Sequence, residues 1–234
     1  MNQEIKSQIN RAKELLGELK ESCNKDLASK TVSDKTRNLT QEVLVKMGSV
    51  FDQAIRLFFK QKVEPELAQE EKKRAKVYFP FAKDLDSLKS ILGRGKMAEL
   101  ESKYPEVFGF LQSVQPFIKG YKWMHFLKKY ADERHIELTP QKKTVTDERI
   151  TVAREGVGTV SWKPKGVKFE NGVSILEAPI DTGTQNIRPT AGVTSKREIW
   201  VSFTLGDSGV NSLWLCETAI NEGEKIISSF LGLF

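Results

Sequence analysis

The chain has 234 residues, of which 29% are charged and 39% hydrophobic, and its formal net charge is +6 at pH 7. This length is enough for two modest domains that each bury a core. The two cysteines, Cys23 and Cys216, lie far apart in the sequence in apolar contexts, which excludes a disulfide scaffold and favours a reducing compartment. No run approaches the roughly 18 consecutive apolar residues of a membrane span. Because the N-terminus also lacks the apolar core of a signal peptide, we expect a cytoplasmic protein without a membrane contact.

The excess of basic residues lies in the N-terminal part of the chain. Residues 1–142 contain 27 Lys and Arg against 20 Asp and Glu, whereas residues 143–234 contain 10 against 11. Lys and Arg neutralise phosphates and release counterions, so this excess is compatible with a polyanionic partner. Acidic residues are interleaved with most of the basic ones, however, and a solvated mixed-charge surface is the commoner interpretation of such helices.

Apolar residues repeat every three or four positions in the first part of the chain, which predicts helices. The first helix is predicted from about Asn2 to Cys23. The second begins after an N-cap at Ser33 or Asp34 and continues to Pro65. Its apolar and aromatic content indicates burial against at least two other helices.

Shorter elements follow the two long helices. The segment VYFPF (77–81) predicts an extended link, because Pro80 disfavours the helical conformation at Phe79. Asp84 fits the N-cap of the next helix, and Pro105 fits the first position of the one after it. With a last helical segment before residue 140, this predicts a bundle of four main helices with short pieces between them.

From about Pro140 the apolar residues alternate in twos between turn residues, which predicts strands. The segments ERITVAR and GTVSW are predicted to form a hairpin, and Asn171-Gly172 predicts a type I′ turn between the next two strands. A polar loop over 181–196 then precedes a strand over 198–205. The second part of the chain is therefore predicted to be an antiparallel sheet of about five strands.

The period of a helix returns after Trp214 and predicts a C-terminal helix. A small antiparallel sheet needs such a helix to cover its second apolar surface. We therefore expect an α+β fold in which a helical bundle (1–142) precedes an antiparallel β domain with a C-terminal helix (143–234). The alternative for the final FLGLF residues is a protruding tail that docks on a protein partner or on a second copy of the chain.

One motif that suggests catalysis is better explained by structure. Gly206-Asp207-Ser208-Gly209 is similar to the nucleophile segment of chymotrypsin-like proteases, but both histidines, His125 and His135, lie in the helical half. The segment is therefore predicted to be a turn between strands. The histidines and cysteines do not have the spacing of metal ligands, so we predict no metal site and no cofactor.

One aromatic residue of the predicted sheet is a candidate for nucleic-acid binding. In the strand 198–205, Ile199, Val201, Phe203 and Leu205 are expected on one face and Trp200 on the more polar face. An exposed Trp200 would offer a stacking surface for an unpaired base. The alternative is a partly buried aromatic residue that packs on the sheet.

Four segments of the helical half carry a family resemblance. The order of FDQAIRLFF (51–59), FPF (79–81), QPF (115–117) and a basic residue followed by His135 resembles uncharacterised prokaryotic proteins whose N-terminal halves are similar to HEPN domains. The resemblance covers residues 1–142. It implies a helical bundle that forms a homodimer, a role in defence or toxin–antitoxin systems, and RNA as a partner.

The same resemblance gives the candidate site residues. HEPN ribonucleases pair Arg and His at a dimer interface and cleave RNA without metal, and His135 is the matching histidine because imidazole transfers protons at neutral pH. Lys129 stands at the matching spacing instead of Arg and lacks the guanidinium fork. Arg134 is adjacent to His135, and Asp132 lies within reach to orient it. The structural alternative is that His135 only packs or caps the helix end.

Because the Arg of the family pattern is missing, the residues favour a non-enzymatic binding module with an RNA or protein partner. The first alternative is a metal-independent endoribonuclease that uses His135. The second is a structural adaptor that recruits a protein through the β domain and the C-terminal tail.

Overall fold

The computed structural model describes residues 2–133, 135–144, 150–163, 167–182, 185, 187–188 and 190–234, with the side chains of 142–144, 194–200 and 207 left out. The chain divides into two compact units, a helical unit (1–139 with 203–234) and a strand unit (140–202). The α+β class is confirmed. The division differs from the predicted boundary at 142, since the C-terminal helix belongs to the helical unit. Within the described part of the chain, no helix combines the length and the apolar content that crossing a membrane requires.

The helical unit contains α1 (Gln3–Ser29), α2 (Asp34–Phe58), α3 (Gln69–Arg74), α4 (Leu85–Arg94), α5 (Leu100–Lys103), α6 (Pro105–Ser113), α7 (Trp123–Asp132) and α8 (Ser212–Leu231). α1 continues beyond the predicted end at Cys23. α2 begins as predicted, with the Ser33 side chain accepting a hydrogen bond from Thr36 N. It ends in a π-helical turn (Phe59–Val63) and a 3₁₀ turn (Glu64–Glu66), where Pro65 stops the helix.

α2 is the most deeply buried helix of the described part. Its apolar side chains without any exposed surface are Val43, Leu44, Met47, Val50, Phe51, Ala54, Ile55 and Phe58. Two glycines permit close helix packing around α2. A Cβ at Gly48 would lie 3.2 Å from the Cβ of Ala131 in α7, and a Cβ at Gly223 of α8 would lie 3.0 Å from Met47 Cε. α7 and α8 therefore approach α2 more closely than larger residues would allow.

The short elements of the helical unit begin where the sequence predicts. The Asp84 carboxylate accepts a hydrogen bond from Ser87 N at 2.7 Å and caps α4. Pro105 is the first residue of α6. The segment 77–82, here called the link, joins α3 to α4 without helix or strand, and Val77 and Phe79 are buried. The predicted link is present, but its second half is not extended, because Phe81 N donates to Phe79 O at 3.0 Å and Ala82 N donates to Pro80 O at 3.1 Å.

α8 packs against α1, α2 and α7 and contacts the short strand that precedes it. Of the residues predicted to face inward, Leu231 is partly buried. The others are buried: Leu215, Ala219, Ile226, Ile227 and Phe230. Lys13 and Lys20 of α1 pair with Glu224 and Glu217 of α8, each at 2.7 Å. The Phe234 ring packs on Phe58, with 5.2 Å between centroids. The FLGLF tail is thus folded onto the bundle instead of protruding.

The strands are β1 (Leu138–Thr144), β2 (Ile150–Arg154), β3 (Gly158–Trp162), β4 (Ser174–Ile175), β5 (Ala178–Pro179), β6 (Val193–Leu205) and β7 (Val210–Asn211). The main sheet has the order β1-β6-β2-β3, and β7 pairs with β6. The predicted β2–β3 hairpin is confirmed, with Ile150 opposite Trp162 and Arg154 opposite Gly158. The core of the strand unit contains Ile150, Val152, Trp162 and Ile180.

The prediction that a type I′ turn at Asn171-Gly172 joins two strands is wrong, because residues 167–170 form no strand and β4 and β5 both follow that turn. That turn type needs a positive φ at both central residues, and here only Gly172 has one, at +86°. The positive pair lies instead at Leu176 (φ 50°) and Glu177 (φ 67°), between β4 and β5. Leu176 packs against the strand-unit core, and Arg154 forms an ion pair with Glu177. Asn171-Gly172 still forms a turn, in which Val173 N donates to Glu170 O at 3.3 Å.

The strand predicted over 198–205 is longer than expected, because β6 begins at Val193, opposite Arg154 of β2. Phe203 and Leu205 are buried as predicted, but Val201 is 43% exposed, so its expected burial is wrong. Val201 lies beyond the part of β6 that pairs with β2. The side chain of Ile199 lies outside the described ones. Residues Gly206–Ser208 form the predicted turn between β6 and β7.

We expect both cysteines to resist thiol reagents in the native protein. Burial raises the pKa of Cys23 to about 11 and also raises the pKa of Cys216, and the thiolate is the reactive form. At about pH 8 an aromatic disulfide reagent should modify neither thiol in native protein and both in denaturant. Rapid modification of native protein would contradict the burial of the α1–α8 interface.

Candidate functional site

His135 lies in a cleft of about 470 Å³ where the end of α7 meets the turn after β6. The cleft, here called the His135 cleft, lies entirely within the helical unit. Its lining residues are Lys129, Tyr130, Glu133, His135, Glu137, Gly206 and Ser208.

A side chain of α2 holds the main chain at the end of α7, just before the exposed His135. The Gln41 side chain of α2 donates through Nε2 to the carbonyl oxygens of Tyr130 (3.1 Å) and Glu133 (2.6 Å). Carbonyls in the last turn of a helix have no partner within the helix. Gln41 therefore satisfies two acceptors at the end of α7 and fixes the main chain just before His135.

The opposite wall of the cleft is held by main-chain contacts. The Tyr130 hydroxyl donates to Leu205 O at 3.0 Å in a buried position, and Gly206 N donates to Glu137 O at 2.8 Å. Ser208 Oγ donates to Leu205 O at 2.6 Å and accepts from Val210 N at 3.2 Å. The Ser208 hydroxyl thus stabilises the turn, in agreement with its predicted structural role.

The structure brings two of the predicted site residues, Lys129 and His135, into one cleft. His135 is exposed and makes no hydrogen bond or ion pair with any residue that the structure describes. Asp132, predicted to orient His135, instead pairs with Lys128 at 2.8 Å. Arg134 lies outside the described residues, and the side chain of Trp200 lies outside the described side chains.

The charges of the His135 cleft do not favour phosphate. Lys129 Nζ lies 4.0 Å from Glu133 and 4.9 Å from the ring centre of Tyr130. Glu133 and Glu137 both line the cleft, so its described side chains present two carboxylates and one lysine. A phosphodiester that approached His135 would meet this negative charge.

A second cavity of the helical unit has the opposite charge. This basic groove, with a volume of about 260 Å³, lies between the end of α2 and the link. Its lining residues are Arg56, Phe59, Lys60, Glu64, Ala75, Lys76, Val77 and Tyr78. It holds three basic side chains and one carboxylate.

Two side chains of α2 fix the link on either side of Tyr78. Arg56 Nε donates to Val77 O at 3.1 Å, and Asp52 Oδ1 accepts from Phe79 N at 2.8 Å. Arg56 and Asp52 are one helical turn apart and therefore lie on the same face of α2. Tyr78 itself is half-exposed between buried Val77 and Phe79.

Sequence reasoning did not identify the basic groove, although two of its cations were visible. Tyr78 lies in VYFPF, where no polar residues alternate with the apolar ones, so the sequence does not indicate which side chain is exposed. Arg56 and Lys60 are four residues apart in the predicted second helix. Their proximity to Tyr78 depends on the packing of the link against α2, which no local pattern encodes.

The chain matches no protein-family model, no curated protein and no solved structure. The function of either cavity must therefore be argued from its own residues. No group of three or more His, Cys, Asp or Glu side chains in the described part of the chain is placed to hold a metal ion.

The pH dependence of stability tests how Asp52 is buried. Desolvation raises the pKa of Asp52, although the Phe79 N–H and the nearby cations Lys128 and Arg56 oppose the shift. The folded state therefore binds more protons between the ordinary aspartate pKa of about 4 and the raised folded value. The free energy of unfolding should fall as pH rises through that window. In urea titrations, Asp52→Asn should lack this fall, because asparagine stays neutral and keeps an acceptor for Phe79 N.

The control for this prediction is Asp52→Ala, which also removes the acceptor. It should be less stable than Asp52→Asn at every pH, by about 1–3 kcal/mol, because the buried Phe79 N–H loses its partner. Parallel pH profiles for wild type and Asp52→Asn would contradict the raised pKa.

Proposed function

We propose that the protein is a non-enzymatic RNA-binding module and that RNA phosphates contact the basic groove. The observation that carries this proposal is the set of three basic side chains, Arg56, Lys60 and Lys76, around one cavity. None of the three forms an ion pair with a residue that the structure describes. They remain available to neutralise phosphates and release counterions.

The three cations differ in this respect from the paired lysines of the helical unit, although not from every basic residue there. Lys13 pairs with Glu224, and Lys103 pairs with Glu66 and Glu99. Such pairs bring lysine and carboxylate together, so the local charge cancels. The unpaired cations of the groove therefore contribute more to an attractive field for a polyanion.

RNA is the polyanion that the HEPN-like resemblance of residues 1–142 implies. A cytoplasmic location agrees with this choice, because two buried free cysteines fit a reducing compartment. Catalysis is not part of the proposal. His135 has no orienting partner among the described residues, and carboxylates line its cleft.

Replacing two of the groove cations should weaken RNA binding. We expect Lys60→Gln combined with Lys76→Gln to bind single-stranded RNA roughly 10- to 30-fold more weakly at about 0.1 M salt, because two phosphate contacts are lost. The slope of log K against log salt should become less steep by about 1.4, because each lost phosphate contact on a single strand accounts for about 0.7. Fluorescence anisotropy over a salt series measures both quantities.

A matched control is Lys25→Gln combined with Lys35→Gln, which removes the same charge from exposed positions outside the groove. This control should lose less than threefold in affinity, as expected for non-local charge alone. Equal losses in the two double variants would mean that net charge, and not the groove, attracts RNA.

A cleavage assay separates binding from the ribonuclease alternative. Wild type and His135→Ala should both leave RNA intact in EDTA, because the His135 cleft does not favour a phosphodiester. Circular dichroism and thermal unfolding must first show that the variant folds like wild type. Cleavage by wild type that is lost in His135→Ala would replace the binding proposal with a metal-independent ribonuclease.

A further inference from the structure

We infer that the basic groove holds one unpaired nucleotide of single-stranded RNA, with the base stacked on Tyr78 and the flanking phosphates on Lys60 and Lys76. This inference rests on the proposed RNA-binding function and adds the strand type and the binding mode. It is carried by a different observation, the exposed Tyr78 ring beside the cations.

Tyr78 is unusually exposed for an aromatic side chain of the link. It is 50% exposed, whereas Val77 and Phe79 on either side are 8% and 2% exposed. The Arg56 guanidinium lies over its ring, 5.3 Å from the ring centre. Half of the residue nevertheless remains open to solvent. An aromatic ring backed by a guanidinium is a surface on which any nucleobase can stack.

The ring is held in place before a ligand arrives. Arg56 binds the carbonyl of Val77 and Asp52 binds the amide of Phe79, so the main chain is fixed on both sides of Tyr78. A side chain that is already ordered loses little conformational entropy when a base stacks on it. Arg56 thus positions Tyr78 and also contributes a positive charge. A substitution of Arg56 would remove both effects at once, so it would not distinguish stacking from charge.

The size of the basic groove limits which ligands it can accept. A volume of about 260 Å³ is below the range of roughly 300–1,000 Å³ that typical ligand pockets have, so it accommodates about one nucleotide unit. In an A-form duplex the faces of the bases are stacked on each other and not available. Only an unpaired base can place its face against Tyr78.

Charge alone predicts the opposite preference. A duplex carries a higher density of phosphates than a single strand, so a purely electrostatic surface binds duplex RNA at least as tightly. A preference for single strands therefore reports base stacking. The comparison of single-stranded with duplex RNA therefore tests base stacking on Tyr78 separately from RNA binding itself.

The experiment measures fluorescence anisotropy with four ligands. They are a single RNA strand of about 10 nucleotides, its duplex, the same strand without bases, and a free nucleoside monophosphate. Wild type should bind the single strand at least about fivefold more tightly than the duplex or the abasic strand, because each stacked base contributes that much or more. Tyr78→Leu should lose this preference, and Tyr78→Phe should keep it. Trp214→Leu, at an equally exposed position (49%) outside the groove lining, should also keep it.

Each outcome decides one point. Loss of binding to every ligand by wild type would overturn the proposed function itself. Equal binding of single strand, duplex and abasic strand would leave RNA binding in place and overturn the stacking inference. A free nucleotide that binds as tightly as the strand would reassign the groove to a small nucleotide ligand and also overturn it. The wild-type comparison with the abasic strand needs no variant, so it holds even if Tyr78→Leu folds poorly.

Discussion

The burial of α2 on several sides is the constraint on which both candidate sites depend. Its apolar side chains fill the contacts with α1, α7 and α8, and polar side chains at the edges of this packed face bond to neighbouring main-chain groups. Gln41 caps the end of α7 beside His135. Within the last two turns of the same helix, Asp52 and Arg56 hold the link that presents Tyr78. A single well-packed helix therefore supplies the geometry of two separate cavities.

The two cavities differ both in the charged residues that line them and in how those charges are paired. In the His135 cleft, Lys129 lies near Glu133, and Glu137 adds a second carboxylate. In the basic groove, Lys60 and Lys76 have no acidic partner among the described residues. Net charge along the sequence does not distinguish these situations, because the neutralising residue comes from a different turn or element. Electrostatic function thus follows from the pairing and not from the composition.

In the strand unit, the pair of positive φ angles lies away from a strong local signal. Asn171-Gly172 has the favoured composition for a type I′ turn, yet the pair of positive φ angles falls on Leu176 and Glu177. Such angles are unfavourable for these residues and persist only where other contacts hold them. Leu176 is partly buried against the core and Glu177 forms an ion pair with Arg154, so both residues make such contacts.

Periodicity and capping residues in the sequence by themselves determined the helical and strand halves, the starts of α2, α4 and α6, the β2–β3 hairpin and the inward face of α8. They did so because each depends on neighbours within a few positions. The length of α1, the assignment of α8 to the helical unit and the exposure of Val201 were decided by packing between distant segments. The candidate site followed the same rule: Lys129 and His135 were visible as a pair, whereas the partner of Asp132 and the grouping of Arg56, Lys60, Lys76 and Tyr78 arise only when α2 and the link meet in the folded chain.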